Sequence, residues 1–220
     1  MTPDFDKTYA AFLFDLDGTL LSSIASAERC WARWARGHGL DVEAFLPTIH
    51  GVRAIDTIRR LALPGVDPEA EAAVLTQMEM EDVADIEQIG GAAAFLNAIP
   101  EHRWAVVTSA PRGLALARMK AAGLPPPPLM VCAEDIENGK PAPDGYLSGA
   151  QKLGFDPADC LVFEDAGAGI AAGRAAGADV LVITQTHAAG APEPAEMSVV
   201  NYAGVGVRSS DAGIAIEPAA

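Results

Sequence analysis

The chain has 220 residues, long enough to bury roughly 70% of its unfolded surface in one core domain with a sizeable insertion. Its 30 acidic residues against 15 basic ones give a formal net charge of −15, which argues against nucleic acid and anionic membranes, since both select basic patches. No apolar run approaches the roughly 18 residues of a membrane-spanning helix, and acidic Met1–Asp6 lacks the apolar stretch of a secretory leader.

The first element in chain order is an apolar run, Ala11-Phe12-Leu13-Phe14, which reads as a buried strand of a parallel sheet. It leads into Asp15-Leu16-Asp17-Gly18-Thr19. Strand alternation puts Asp15 and Asp17 on one side, and Gly18 supplies a tight turn. Two carboxylates at the carboxyl end of such a strand sit where open α/β sheets bind ligands. They suit a hard cation, or a nucleophile and an acid.

Residues 22–88 contain no strand-like run. Ala27, Cys30, Trp31 and Trp34 fall at helical spacing, as do Ala54, Ile55, Ile58, Leu61 and Ala62, and then Val74, Leu75 and Met78. A helical bundle inserted over the crevice is expected, hinged at Leu21–Ser23 and Ile89–Gly91 and able to act as a lid. The domain division is therefore 1–21 with 90–220 as α/β core, and 22–89 as helical cap.

Beyond the insertion, strand-length runs recur at Trp104–Val107, Leu129–Cys132, Leu161–Phe163 and Val180–Ile183. Helical stretches 113–122, 144–153 and 168–176 each end at a glycine, the usual C-terminal stop. Alternating strands and helices predict a parallel α/β sheet with helices on both faces. Pro125–Pro128 is a stiff spacer. Val205/Val207 and Ile214/Ile216 flank Ser209–Gly213 as a C-terminal β-hairpin. Cys30, Cys132 and Cys160 show no metal-ligand or disulfide spacing and read as reduced thiols of a cytoplasmic protein.

Polar residues follow four of the strand-like runs: Asp15/Asp17, Thr108/Ser109, Lys140 (a short loop beyond its strand) and Glu164/Asp165. Parallel strands point one way, so these clusters converge. Carboxylates, one lysine and a hydroxyl suit phosphoryl transfer, whose hydrolytic form needs accelerations up to about 10²¹ and hence several devices at once.

In these four ordered motifs the chain resembles the haloacid dehalogenase superfamily of phosphohydrolases, over about residues 10–185. The resemblance implies a Rossmann-like three-layer core with a helical cap inserted after the first strand. It makes Asp15 the nucleophile that forms a phospho-aspartate and Asp17 the acid that protonates the leaving oxygen and then activates water. Thr108 and Lys140 bind phosphoryl oxygens. Mg²⁺ is held by Asp15, the Asp17 carbonyl and Asp165, with Glu164 nearby.

Asp17 disfavours the superfamily's dehalogenases, which lack the second carboxylate. Phosphonatases carry a cap lysine, and residues 22–88 contain none. The β-phosphoglucomutase branch has His and Arg at the positions of Ala27 and Ala54; without them water is expected to win over mutase chemistry. A phospho-receiver domain lacks the helical insert. The segment His50–Thr57 resembles the sugar-phosphate and polyol-phosphate phosphatases. That similarity makes Arg53 a candidate contact for substrate hydroxyls or a second anionic group and His50 a second polar contact, with Ser109 and Arg112 flanking the phosphate. The expectation is a Mg²⁺-dependent cytoplasmic phosphatase of a small phosphorylated sugar or polyol, acting as a monomer.

Overall fold

The computed structural model describes residues 6–186 and 197–219. The N-terminal stretch read as lacking a leader falls almost entirely outside the described residues. In chain order the elements are β1 (Ala11–Phe14), β2 (Leu21–Ser22), α1 (Ile24–Gly37), α2 (Val42–Phe45), α3 (Ala54–Leu61), α4 (Pro68–Glu81), β3 (Glu87–Gln88), α5 (Ala92–Asn97) and β4 (Trp104–Val107). They continue with α6 (Arg112–Ala121), β5 (Met130–Val131), α7 (Asp144–Leu153), β6 (Cys160–Glu164), α8 (Gly167–Ala175), β7 (Asp179–Ile183), β8 (Met197–Val199), β9 (Val205–Ser210) and β10 (Gly213–Pro218).

Among the described residues, six strands form the parallel central sheet in the order β5-β4-β1-β6-β7-β8. The period-two rule divides each inner strand between two cores. Phe12, Phe14, Leu161 and Phe163 pack on one face with α5, α6 and the β9–β10 hairpin. Leu13, Val107 and Val162 pack on the other with α7 and α8. The three layers follow from strands that are apolar on both sides. The hairpin turn falls at Asp211–Ala212, and Ile214 and Ile216 enter the core from it.

Helices α1–α4 have a core of their own around Trp31, Trp34, Phe45, Ile49, Ile58 and Leu75. Val74, expected on the buried face of α4, is exposed, whereas Glu79 is buried. Two-residue strands β2 and β3 pair antiparallel at the two hinges, too short to announce themselves in the sequence. The short strand β8 was likewise not anticipated. Among the described residues no helix is long and apolar enough to cross a membrane.

Phe163 stacks on Phe14 at 4.4 Å between ring centroids and meets Phe12 edge-on at 5.1 Å, tying β6 to β1. Phe163→Ala should therefore lower the unfolding free energy by about 3–5 kcal/mol in urea titrations. A loss below about 1 kcal/mol would show that this aromatic seam does not hold the two strands together.

Candidate active site

The parallel sheet brings the carboxyl ends of β1, β4 and β6 to one edge. The Asp15 N–H makes the last bond of the β1–β6 ladder, donating to the Phe163 carbonyl at 3.0 Å. The chain then turns sharply. Gly18 has φ +92° and donates its N–H to the Leu21 carbonyl at 2.7 Å. A Cβ at Gly18 would run into the Asp165 carboxylate, so this position needs glycine for both conformation and space. Thr19 completes the turn by donating its hydroxyl to Asp165 Oδ1 at 3.2 Å.

Lys140 is the hub. Its ammonium donates to Asp15 Oδ1 at 2.5 Å, Glu164 Oε1 at 2.7 Å and the Val107 carbonyl at 3.2 Å. An ammonium has three donors, and all three are satisfied inside the protein. Burial opposes the charge on Lys140, but the Asp15 and Glu164 carboxylates outweigh it and hold the group protonated above its ordinary value. For Asp15, burial pushes the carboxyl up, Lys140 pulls it back, and Glu164, Asp165 and Asp17 push it up again; the net shift is upward. A further cation beside Asp15 would offset that crowding.

Asp15, Glu164 and Asp165 each offer an oxygen within 4.8 Å of the others, a separation that suits a hard divalent cation. The three are not equivalent. Glu164 Oε1 already accepts from Lys140 and from the Tyr146 hydroxyl at 2.7 Å. Its Oε2 accepts from the Asp165 and Ala166 amides at 2.9 and 3.2 Å. Four donors fill the lone-pair sites of a carboxylate. Glu164 therefore orients Lys140 and fixes the end of β6, while Asp15 and Asp165 each place a carboxylate on the cavity wall. Gly169 permits this, because a Cβ there would overlap the Glu164 carboxylate.

A cavity of about 260 Å³ opens between this edge and helices α1–α4. Asp15, Asp17, Thr108, Ser109 and Asp165 line it from the core, and Ile24, Ala27, Trp31, His50, Ala54 and Glu79 from the helical segment. Lys140 and Glu164 stand behind Asp15. Thr108 Oγ1 accepts from the Ala110 amide at 3.0 Å, which leaves its own O–H to donate. Ser109 donates to the Gly51 carbonyl at 3.0 Å and so bridges core and helical segment. His50 lies 3.5 Å from Glu28, both on the cavity wall.

Two residues expected at the substrate lie elsewhere. Arg53 is not on the cavity wall, because its guanidinium is engaged by Asp56 at 2.6 Å and by the carbonyls of Ile136 and Glu137 at 3.2 and 2.9 Å. It ties α3 to the loop that leads to Lys140. Arg112 instead pairs with Asp135 at 2.5 Å and donates to the Met130 carbonyl. The three cysteines are free and buried; burial pushes Cys30 and Cys160 up to about 11 and Cys132 to about 12. Such thiols are inert.

Four residues at this site were not anticipated from sequence: Ser23, Glu79, Arg118 and Tyr146. Ser23 donates to Asp17 Oδ1 at 2.5 Å, and Arg118 Nη1 donates to the same oxygen at 3.0 Å. Arg118 Nη2 lies 3.5 Å from Glu79 Oε2. Each of these is ordinary as a letter in its helix or loop; only the buried position marks it.

A family model of haloacid dehalogenase-like hydrolases matches residues 9–177. The chain belongs to the haloacid dehalogenase-like hydrolases. It is 45% identical to hexitol phosphatase A of Escherichia coli over 176 residues, covering 78% of this chain and 82% of that one. It is 33% identical to glycerol-1-phosphate phosphohydrolase 2 of Saccharomyces cerevisiae, covering 80% and 75% respectively. The fold is shared with the crystal structure of CbbY from Rhodobacter sphaeroides in complex with phosphate, at 20% identity and a TM-score of 0.74, covering 89% and 95% of the two chains.

Glu79 carries a pH signature. Burial raises its carboxyl to about 7; Arg118 opposes the rise and Asp17 adds to it. The folded protein then holds this proton more tightly than the unfolded chain, so stability is full below about 4.5 and falls as pH climbs through about 7. Relative to Glu79→Gln, the wild type should lose on the order of 3 kcal/mol of unfolding free energy across that window. Urea titrations at a series of pH values check this, and a pH-independent difference would contradict the raised carboxyl.

Proposed function

We propose that this hydrolase is a Mg²⁺-dependent phosphatase that releases phosphate from a small phosphorylated polyol or sugar through a phosphoryl group held on Asp15. The observation that carries the reading is the buried Lys140 ammonium locked to Asp15 and Glu164, behind a cavity that Asp15 and Asp165 line. The 45% identity to a hexitol phosphatase supports the substrate class.

Asp15 and Asp165, with the Asp17 carbonyl, are the groups that would hold Mg²⁺; the ion supplies positive charge where the phosphoryl oxygens gain negative charge. The residues do the rest. Asp15 attacks phosphorus, forming an Asp15–phosphorus bond through oxygen as the ester P–O bond breaks. Asp17 gives its proton to the departing alkoxide, then takes one from the water that releases phosphate. The Thr108 hydroxyl donates to a phosphoryl oxygen, and Lys140, behind Asp15, supplies positive charge to the group as it transfers.

Water rather than a second sugar hydroxyl completes the cycle in this reading. Ala27 and Ala54 line the cavity where the mutase pattern carries His and Arg, so nothing charged stands there to retain and reorient a bisphosphate. The walls near the leaving group combine apolar Ile24 and Trp31 with Glu28, His50 and Glu79. That chemistry fits a neutral, hydroxyl-bearing substrate better than a carboxylate. The free, buried thiols fit a reducing, cytoplasmic setting.

Asp15→Asn should abolish phosphate release from a panel of hexitol, hexose, deoxyhexose, glycerol and glycolate phosphates, and Asp17→Asn should slow it roughly 10²–10⁴-fold. Wild-type rates in Asp15→Asn would remove the nucleophile, and no turnover by the wild type anywhere in the panel with Mg²⁺ would support a non-catalytic phosphate-binding role instead. Excess chelator should stop release and added Mg²⁺ restore it; turnover that persists in chelator would refute the metal. Phosphoglycolate should be the poorest member of the panel, measured as kcat/KM, and a preference for it would contradict the neutral-substrate reading.

A further inference from the structure

Arg118 is hard to explain as a stabilising residue. It lies in α6 with 4% of its surface exposed. Among the described residues only Nη1 makes a hydrogen bond, to Asp17 Oδ1 at 3.0 Å; Nη2 has no more than a 3.5 Å ion pair with Glu79, and Nε is buried without a hydrogen bond. An unpaired buried donor costs about 1–3 kcal/mol. A buried ion pair is often no better for stability than an apolar residue of similar volume. Arg118 is thus a costly choice for packing α6, and its one hydrogen bond falls on a residue of the proposed chemistry.

The geometry of that contact is specific. Ser23 and Arg118 converge on the same oxygen, Asp17 Oδ1, while Oδ2 carries none of the described hydrogen bonds. One oxygen is anchored and the other is uncommitted. Behind the guanidinium stands Glu79 of α4, 7% exposed, with Oε2 3.5 Å from Nη2. Glu79 comes from the helical segment and Arg118 from the core, and all three residues line the one cavity. The chain of contacts Glu79–Arg118–Asp17 therefore runs from the cap to the carboxyl group beside the nucleophile.

We propose that Arg118 is a positioning residue for Asp17, and that Glu79 fixes Arg118 from the cap side. The planar fork holds one Asp17 oxygen in place and leaves the other to exchange a proton with the leaving oxygen. Lysine keeps the charge but has no rigid fork to span two carboxylates. The inference rests on the phosphatase reading, since it assigns Arg118 a share in leaving-group protonation.

A leaving-group comparison tests it in the full-length protein with Mg²⁺. A hexitol phosphate expels an alkoxide that needs a proton, whereas 4-nitrophenyl phosphate expels a phenolate that does not. In Arg118→Met, kcat/KM for the hexitol phosphate should fall roughly 10–100-fold, and that for the nitrophenyl ester no more than about threefold. Arg118→Lys should recover part of the loss, and Glu79→Gln should change the ratio in the same direction by less. Asp17→Asn with Arg118→Met should be little worse than Asp17→Asn alone on the hexitol ester. Equal loss on both esters would mark Arg118 as structural and overturn the proposal. If Arg118→Met fails to fold because it strands Glu79, the double variant with Glu79→Gln removes the unpaired carboxyl and carries the same comparison. Failure of the wild type on both esters would overturn the phosphatase reading itself, whereas wild-type turnover with an unchanged ratio in the variants overturns only the role of Arg118.

Discussion

Lys140 sits among carboxylates inside a protein that is otherwise strongly acidic, and much of the core is arranged so that it can. A buried ammonium is tolerated only when its charge and its donors are met. Here they are met by three strand ends at once: Asp15 beyond β1, the Val107 carbonyl at the end of β4 and Glu164 at the end of β6. Removing any one partner would leave a buried charge short of compensation, a defect typically worth several kcal/mol. The interaction thus binds the centre of the sheet to its own chemistry. Tyr146 on α7 and the first amides after β6 extend the arrangement by fixing Glu164 from the other side.

The same arrangement separates the roles of the carboxylates. Glu164 is saturated by four donors and stands behind Asp15, while Asp15 and Asp165 face the cavity. Asp17, two residues from Asp15, is held not by Lys140 but by Ser23 and Arg118. Two aspartates in one turn are therefore fixed by independent networks, one from the sheet edge and one from α6 and the hinge. Environments that differ this much let two carboxyl groups take different tasks.

Much of this was legible in the sequence because the relevant signals are local. Apolar runs of four residues followed by polar clusters place the strand ends, and glycines after helices place the stops, as at Gly154, the C-cap of α7 with φ +86°. Motif order then brings Asp15, Lys140, Glu164 and Asp165 together. What escaped is what depends on long-range packing. Arg118 and Glu79 look like ordinary solvent-facing helix charges, and the meeting of α4 with α6 buries them. Arg53 was expected at the substrate because the segment His50–Thr57 resembles the sugar- and polyol-phosphate phosphatases, and Arg112 because it follows Thr108 and Ser109. Both instead satisfy carbonyls and carboxylates of the segment around Met130–Glu137, which sequence spacing does not reveal. The two-residue strands β2 and β3 carry too few residues for any periodicity.

The central claim is that the carboxylate paired with Lys140 is the group that accepts the phosphoryl moiety. Rapid acid quench of the enzyme during turnover of a hexitol phosphate, followed by digestion and mass spectrometry, tests this directly. The account predicts one phosphoryl group on the peptide that contains residues 11–20, assigned by fragmentation to Asp15, appearing before free phosphate reaches its steady rate. Phosphate released at full rate with that peptide unmodified, or with the phosphoryl group on another residue, would contradict it.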